Sequence, residues 1–432
     1  MVLLVLEENQ ERSREKQYRI IYRLLSLLKT NIIMPKKVLF VILDGVADIG
    51  DRTPLHVAGK ENLDRLAKNG VSGLIENNIS EHPDSGLSTF SLLGYPKSEY
   101  PGRGYLEALG IGISPTPGSV YIRANFATVK IEMTLNSKKK FIVVDRRAGR
   151  DKSGLYEMSK DIREFFLDGV KVDFYKSVGH RGVVIVNAPQ ISPNVSDSDP
   201  LQEGKEVLDI QPLSPDDASV KTAAALNKFS EETHRILNSH PQNKYRELPA
   251  NYILLRGASS FKSIRSFKDI YGFTAACVAV SPVVKGIANA AGIFTIEVSG
   301  TSGDLKTDLR EKTLKALDLL RKYNFVILHI KGCDVASHNK SFDMKRLFIE
   351  KIDRDVLRRI IEYTNLEKTL LVVASDHPTS SKTGMHVSGF MPFLIFHKGI
   401  KPNFVEKFNE KDCSIGPTIN IQSFMEEVIK YI

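Results

Sequence analysis

Several short apolar runs in this chain show no alternation. They are Val38-Leu-Phe-Val-Ile-Leu43, Thr274–Val280, Phe325-Val-Ile-Leu-His-Ile330 and Thr369–Ala374. A strand covered on both faces reads this way, so the pattern predicts a central, mainly parallel sheet. Phe294–Val298 and Pro392–His397 predict two further strands of the set. Helical texture lies between them. One helix opens at Thr53-Pro54, runs through Asn62–Ala67 and stops at Gly70; others are Val283–Ala291, Leu305–Tyr323, Lys345–Tyr363 and Ile421–Ile432. Strands alternating with helices predict a doubly wound α/β domain.

From about Ser119 the pattern changes. Val120–Ile131 alternates as a half-solvated antiparallel strand does. Phe141–Val144, Val170–Val178, Gly182–Val186 and Tyr252–Arg256 predict more strands, with Asp151–Leu167 and Ala218–Ser239 as helices. Ile191–Pro215, rich in Pro, Asp and Ser, predicts a surface loop, and the α/β texture returns at Gly272. Residues 34–118 and 267–432 therefore read as one doubly wound domain, interrupted by a smaller α+β insertion, 119–266. Residues 1–33 stand apart. Val2–Leu6 is too short for a signal segment. Glu11–Lys29 reads as a basic amphipathic helix, with Ile20, Ile21, Leu24, Leu25 and Leu28 on one side. Because Met34 opens directly into a strand, a mis-assigned start is expected, with Met34 the true one; a peripheral helix is the alternative.

Composition narrows the classes. A hydrophobic content of 42% supports buried cores, and no apolar run reaches the roughly 18 residues of a membrane span. Cys277, Cys333 and Cys413 are too widely spaced for a disulfide framework or a metal knuckle, and read as reduced thiols of a cytoplasmic protein. The net charge of +9 comes from Lys and Arg interspersed with Asp and Glu, without nucleic-acid-binding signatures. A small anionic substrate accounts for it, with no nucleic acid or membrane partner. Nothing in the pattern sets an oligomeric state.

Chemistry collects where the apolar runs end. The first finishes in Asp44-Gly45, the Phe325 run leads to Asp334 with His338 four residues on, and the Thr369 run ends in Asp376-His377, with His386 following. Carboxylate plus imidazole suits zinc, manganese and similar ions. Any one of these residues alone is as readily a helix cap or a structural histidine. Together, at the carboxyl ends of successive parallel strands, they predict a two-metal centre. Ser85, between Pro83 and Gly86 at a helix mouth, gains from a dipole that favours an alkoxide or phosphate, although a plain capping serine is the commoner role. Asp145-Arg-Arg-Ala-Gly-Arg150 concentrates guanidiniums suited to carboxylate and phosphate, whereas a lone surface arginine is usually only solvated.

Asp44-Gly45, Ser85, Asp334 with His338, Asp376-His377 and His386 together resemble the alkaline phosphatase superfamily. More closely, the chain resembles the archaeal type of 2,3-bisphosphoglycerate-independent phosphoglycerate mutases. Thr53-Pro-Leu, Leu93-Gly-Tyr, Pro101-Gly-Arg-Gly, Leu106-Glu-Ala-Leu-Gly, Arg256-Gly-Ala and His329-Ile-Lys-Gly-Cys-Asp carry the likeness over nearly all of 36–432. The resemblance implies an alkaline-phosphatase-like sheet domain with an inserted lid, and interconversion of 3- and 2-phosphoglycerate without 2,3-bisphosphoglycerate. It implies two divalent ions, manganese first, with zinc, cobalt or magnesium as alternatives. One would sit on Asp334, His338 and His386, the other on Asp44, Ser85, Asp376 and His377. Ser85 would be the nucleophile that becomes phosphoserine, with Ser88 a fallback. Asp145, Arg146, Arg147 and Arg150 would hold substrate, joined by Arg181, Arg256 and Lys331. One departure stands out: this chain has Pro83-Asp84-Ser85-Gly86 where the family usually has Pro-Gly-Ser-Asp. The competing expectations are a metal-dependent phosphatase, another phosphomutase on the same scaffold, or a binding protein without catalysis.

Overall fold

The computed structural model describes residues 35–80, 83–133 and 139–432. The expected Glu11–Lys29 helix lies outside them. Among the described residues, fourteen strands form two sheets. The first holds β1 (Lys37–Leu43) and β2 (Val71–Asn77); the second holds β3 (Val120–Met133), β4 (Lys139–Asp145), β5 (Glu164–Leu167), β6 (Val170–Lys176), β7 (Arg181–Asn187) and β8 (Tyr252–Ser260). The chain then returns to the first sheet with β9 (Ala275–Val278), β10 (Phe294–Ile296), β11 (Phe325–Ile330), β12 (Thr369–Ala374), β13 (Gly389–Phe396) and β14 (Thr418–Asn420).

The first sheet runs β10-β9-β11-β1-β12-β13-β2-β14 and is parallel except around β13, which is antiparallel to both neighbours. The apolar runs explain its centre. Val38, Phe40 and Ile42 of β1 enter one hydrophobic cluster, while Leu39, Val41 and Leu43 enter another on the opposite face. Every one of these six side chains is fully buried, each contributing roughly 1.5–3 kcal/mol by burial. Because β11, β1 and β12 are adjacent and parallel, the residues that follow them emerge at one edge of the sheet. Asp44, Asp334 and Asp376 are therefore brought together by topology.

Two strands carry little hydrophobic signal and escape the sequence reading. β2, with sequence VSGLIEN, contains Gly73, where a Cβ would lie 2.2 Å from the Pro417 carbonyl oxygen. The glycine that weakens the pattern is what admits β14, itself only three residues long. The helix expected from Thr53 through Ala67 is two helices, Pro54–Val57 and Glu61–Lys68, since the backbone at Ala58 is extended.

The second sheet is antiparallel, ordered β4-β3-β7-β6-β5 with β8 also on β3. The expected helix Asp151–Leu167 proves shorter. It covers Leu155–Asp161, and Glu164–Leu167 turns back as β5 against β6, joined by a left-handed Asp168 and Gly169. Asp161-Ile-Arg-Glu has helical composition, and cross-strand pairing overrides it. The long helix Asp217–Asn238 is capped by Asp216 and buries Leu226 and Phe229 in this sheet's core.

Helices Arg103–Gly110 and Pro282–Ala290 meet backbone to backbone. A Cβ at Gly110 would sit 1.7 Å from the Pro282 carbonyl oxygen, and one at Gly286 would sit 1.8 Å from that of Leu106. Only glycine permits this approach. No helix among the described residues is long and apolar enough to cross a membrane.

Candidate active site

A cavity of about 370 Å³ opens at the carboxyl edge of the first sheet and is walled by the second. Its floor is made of carboxylates and imidazoles. His386 Nε2 lies 3.0 Å from Asp334 Oδ1, and His338 Nε2 lies 3.4 Å from the same oxygen. Each ring uses its other nitrogen elsewhere: His386 Nδ1 meets the Pro83 carbonyl at 2.9 Å, and His338 Nδ1 meets that of Gly384 at 2.7 Å. A carbonyl only accepts, so both protons belong on Nδ1 and the Nε2 lone pairs face a carboxylate oxygen. Lone pairs converging on an anion repel unless a proton or a metal ion lies between them. Burial pushes the His338 imidazole down to about 4 despite Asp334, which favours its unprotonated, ligating form.

A second group adjoins the first. His377 Nε2 lies 3.4 Å from Asp44 Oδ1 and 3.6 Å from Asp376 Oδ2. Asp44 Oδ1 is buried and accepts no hydrogen bond among the described residues. His377 Nδ1 donates to Thr379 Oγ1 at 3.0 Å, and that hydroxyl donates to Asp334 Oδ1 at 3.3 Å, which couples the two groups. Burial and the neighbouring His386 push the His377 imidazole down to about 3. Burial and the charge of Asp44 raise the Asp376 carboxyl well above the usual range, an arrangement a shared cation would relieve. Lys331 Nζ bridges Asp44 at 2.8 Å and Asp334 at 2.7 Å. Asp44, Asp376 and His377 form one set of converging ligand atoms, and Asp334, His377 and His386 another. His377 thus stands between the two groups expected from sequence, with His338 at the margin of the first.

Ser85 is the first residue of the helix Ser85–Leu92, and Asp84 rather than Ser85 caps it, accepting from the amides of Gly86 and Leu87. The serine is therefore free of the capping role. Its Oγ lies 2.9 Å from His377 Nε2, and since that nitrogen is unprotonated the hydroxyl donates to it. Ser88 instead accepts from the Asn77 amide and does not line the cavity.

The wall is cationic. Arg103, Arg123, Arg146, Arg147, Arg181 and Arg256 all line the cavity. Arg146 is held by Asp199 at 2.8 and 2.6 Å, and Arg103 is paired with Asp84 and Glu107. Arg147, Arg181 and Arg256 have no carboxylate within salt-bridge reach among the described residues. Burial, then the charges of Arg256, Arg103 and Arg181, push the Arg123 guanidinium well below its ordinary range. Guanidiniums this crowded call for an anion.

Asp145 and Arg150 point elsewhere. The Asp145 carboxylate accepts from the Arg147 and Gly149 amides at 2.6 and 3.0 Å, shaping the loop, and Arg150 reaches the Asn339 side chain beyond His338. Arg181 begins β7, and Arg256 lies mid-strand in β8. The sequence reading missed Arg123 and Arg103 as cavity residues. An arginine flanked by two glycines was the signal available for Arg103, whereas Arg123 falls on the more polar register of β3.

Comparison with known proteins places this geometry. A family model described as 2,3-bisphosphoglycerate-independent phosphoglycerate mutase matches residues 67–243. A protein of that name from Archaeoglobus fulgidus is 37% identical over 393 residues, covering 89% of this chain and 95% of its own. The chain belongs to the 2,3-bisphosphoglycerate-independent phosphoglycerate mutase family. A relative from Methanocaldococcus jannaschii is 36% identical over 88% of this chain and 93% of its own. Among solved structures, the cofactor-independent phosphoglycerate mutase of Thermoplasma acidophilum matches with a TM-score of 0.59 and 32% identity, over 91% of this chain and 99% of that one. The PH0037 protein of Pyrococcus horikoshii matches with a TM-score of 0.73 and 26% identity, over 92% and 98%. The mixed α/β fold with its large sheet is that of this family.

Proposed function

We propose that this protein interconverts 3-phosphoglycerate and 2-phosphoglycerate without 2,3-bisphosphoglycerate, through a phosphoserine at Ser85. Family membership supports the reaction. The observation that carries the route is Ser85 Oγ donating to His377 Nε2 at the foot of a guanidinium-walled cavity. Ser85 Oγ would form a bond to phosphorus as the bond from phosphorus to the glycerate oxygen breaks. The proton lost by Ser85 balances the one gained by that oxygen, and the reverse step at the other hydroxyl completes the isomerisation without consuming water.

The donors fit two divalent cations: Asp44, Ser85, Asp376 and His377 for one, Asp334, His338 and His386 for the other. The convergent lone pairs and the unpartnered Asp44 Oδ1 support that fit, with manganese first and zinc, cobalt or magnesium as alternatives. Bound there, such ions supply positive charge that acidifies a serine hydroxyl and stabilises phosphoryl oxygens. Lys331 neutralises the carboxylates beside them.

Residues 119–266 would act as the unit that retains glycerate and excludes water. Arg123, Arg146, Arg147, Arg181 and Arg256 all come from it, and water reaching the phosphoserine would turn a mutase into a phosphatase. Phosphoglycerate carries a phosphate and a carboxylate, which suits several guanidiniums without carboxylate partners. Three buried free cysteines support a cytoplasmic setting.

The test is a coupled assay on manganese-loaded protein with inorganic phosphate measured in parallel. Isomerisation without added bisphosphate, stopped by EDTA and by Ser85→Ala, is the expected result. Phosphate release without isomerisation would replace the mutase reading with a phosphatase one.

A further inference from the structure

The acidic residue that precedes the nucleophile, where the family usually has glycine, occupies a defined place. Asp84 divides its two oxygens. Oδ1 accepts from the Gly86 amide at 2.8 Å and the Leu87 amide at 3.3 Å, closing the first turn of the Ser85 helix, while Oδ2 takes an ion pair from Arg103 Nη1. The other edge of the same guanidinium is held by Glu107, which is buried and accepts from Arg103 Nε at 2.9 Å. Arg103 is thus fixed from two sides, and it lines the cavity beside Ser85. The backbone adds a third restraint. Gly102 adopts φ 93° immediately before Arg103, and a Cβ there would lie 2.4 Å from Ser259 Cβ.

The order Asp-Ser-Gly is also sterically fixed. A Cβ at Gly86 would meet Tyr100 Oη at 2.5 Å, Asp84 Oδ1 at 2.8 Å and Val283 Cγ2 at 2.8 Å. An acid cannot follow the serine here without displacing Tyr100 or the Asp84 cap. Burial alone would raise the Asp84 carboxyl, but Arg103, Arg256 and Arg123 reverse this and hold it well below the usual range. It is therefore ionised whenever the protein is folded near neutral pH.

We propose that Arg103 holds the phosphoryl group while it is carried by Ser85, and that Asp84 is the positioning residue that aims Arg103 at it. This rests on the phosphoserine reading above and adds a division of labour to it. The wall arginines of the second sheet retain glycerate, whereas Arg103, tied to the nucleophile's own helix through Asp84, stays with the phosphoryl group through both transfers. A guanidinium preorganised by two carboxylates needs no reorganisation when charge develops on the transferring oxygens. The same restraint makes this arginine a poor partner for a group that must turn over, as the glycerate must.

The experiment is a double-mutant cycle on the metal-loaded protein with Asp84→Asn, Arg103→Ala and the pair. Asparagine keeps the capping oxygen and replaces the oxygen that accepts from Arg103 with an amide donor, which removes the ion pair. Asp84→Asn is expected to lower kcat roughly 10-fold and Arg103→Ala about 100-fold, with KM moving less than about threefold in each. The double variant should be no slower than Arg103→Ala alone, and Arg103→Lys should recover only part of the loss. Acid-quenched intact mass during turnover should show less phosphoserine at steady state in both single variants. Multiplicative losses in the pair, or a full-rate Asp84→Asn, would overturn the positioning role. A rise in KM with kcat unchanged would reassign Arg103 to glycerate. Failure of the underlying reading looks different: the unmodified protein would itself release phosphate without isomerising, or Ser85→Ala would retain turnover.

Discussion

The floor and the wall of the cavity are built on opposite principles. On the floor negative charge is in excess: Lys331 is shared by Asp44 and Asp334, Asp376 lies beside Asp44, and three imidazoles turn their Nε2 atoms toward these carboxylates. Along the wall, guanidiniums of the second sheet crowd one another; Arg146 is paired with Asp199, and Arg123 reaches Glu107 at 4.0 Å, a carboxylate it shares with Arg103. The floor also sits on the ends of fully buried parallel strands, whereas the wall is hung from strands and a loop of an antiparallel sheet. A rigid half with excess negative charge suits cations that stay; a half with excess positive charge suits an anion that comes and goes.

The sharpest way to break this contrast is at the nucleophile. Ser85→Ala should lower kcat by about 10⁴-fold or more in the coupled assay, with Asp44, Asp376 and His377 still holding one ion more weakly and the other ion unaffected. Next come the floor ligands. Asp376→Asn and Asp334→Asn should each cost about 10³-fold in kcat, and elemental analysis should find each variant short of a different one of two ions. If both variants lose both ions together, the floor is one site rather than two. Wall residues should behave otherwise. Arg181→Ala and Arg256→Ala should raise KM for phosphoglycerate about 10- to 100-fold, change kcat less and leave metal binding intact.

The smallest effect concerns stability of the metal-free protein. His377 and His338 ordinarily titrate at 6.5 but are held at about 3 and about 4 in the fold, so the unfolded chain binds more protons as pH drops. Their contribution is present above 6.5 and lost as pH falls through that value toward 4. His386 and Asp376 work in the opposite sense: Asp334 raises the His386 imidazole against the effect of burial, and burial with Asp44 raises the Asp376 carboxyl. Burial also lowers His180, His234 and His329, so the lowered imidazoles outnumber these raised groups and the thermal midpoint of metal-free protein should fall between pH 7 and pH 5. His377→Gln should flatten that slope, and manganese should raise the midpoint at pH 7. A midpoint independent of pH would show that the imidazoles are not held neutral by burial.

The floor was largely legible in the sequence and the wall only in part. Asp44, Asp334 and Asp376 close apolar runs whose parallel pairing follows from composition, so their meeting was a topological consequence. Ser85 could be placed at a helix mouth, but that Asp84 takes the cap and leaves Ser85 free depends on backbone geometry that spacing does not encode. Arg123 was obscured because one arginine in an alternating strand reads as a solvent-facing position, and its burial arises only when β8 and Glu107 pack beside it. Asp145 shows the reverse case. Its company of arginines suggested a ligand contact, and the turn at Arg147 and Gly149 engages its Oδ1 through two amides, outside the cavity lining.

The glycine contact between helices Arg103–Gly110 and Pro282–Ala290 bears on how this enzyme can be altered. Arg103 and Ser281, both cavity residues, stand at the starts of these two helices, and the helices touch without intervening side chains. Their separation has no slack: a single added methyl group at Gly110 or Gly286 would force the mouths of both helices to move. For redesign, the seam acts as a fixed datum. Substrate preference can be retuned by exchanging the side chains that hang from it, but not by resizing the gap between the helices.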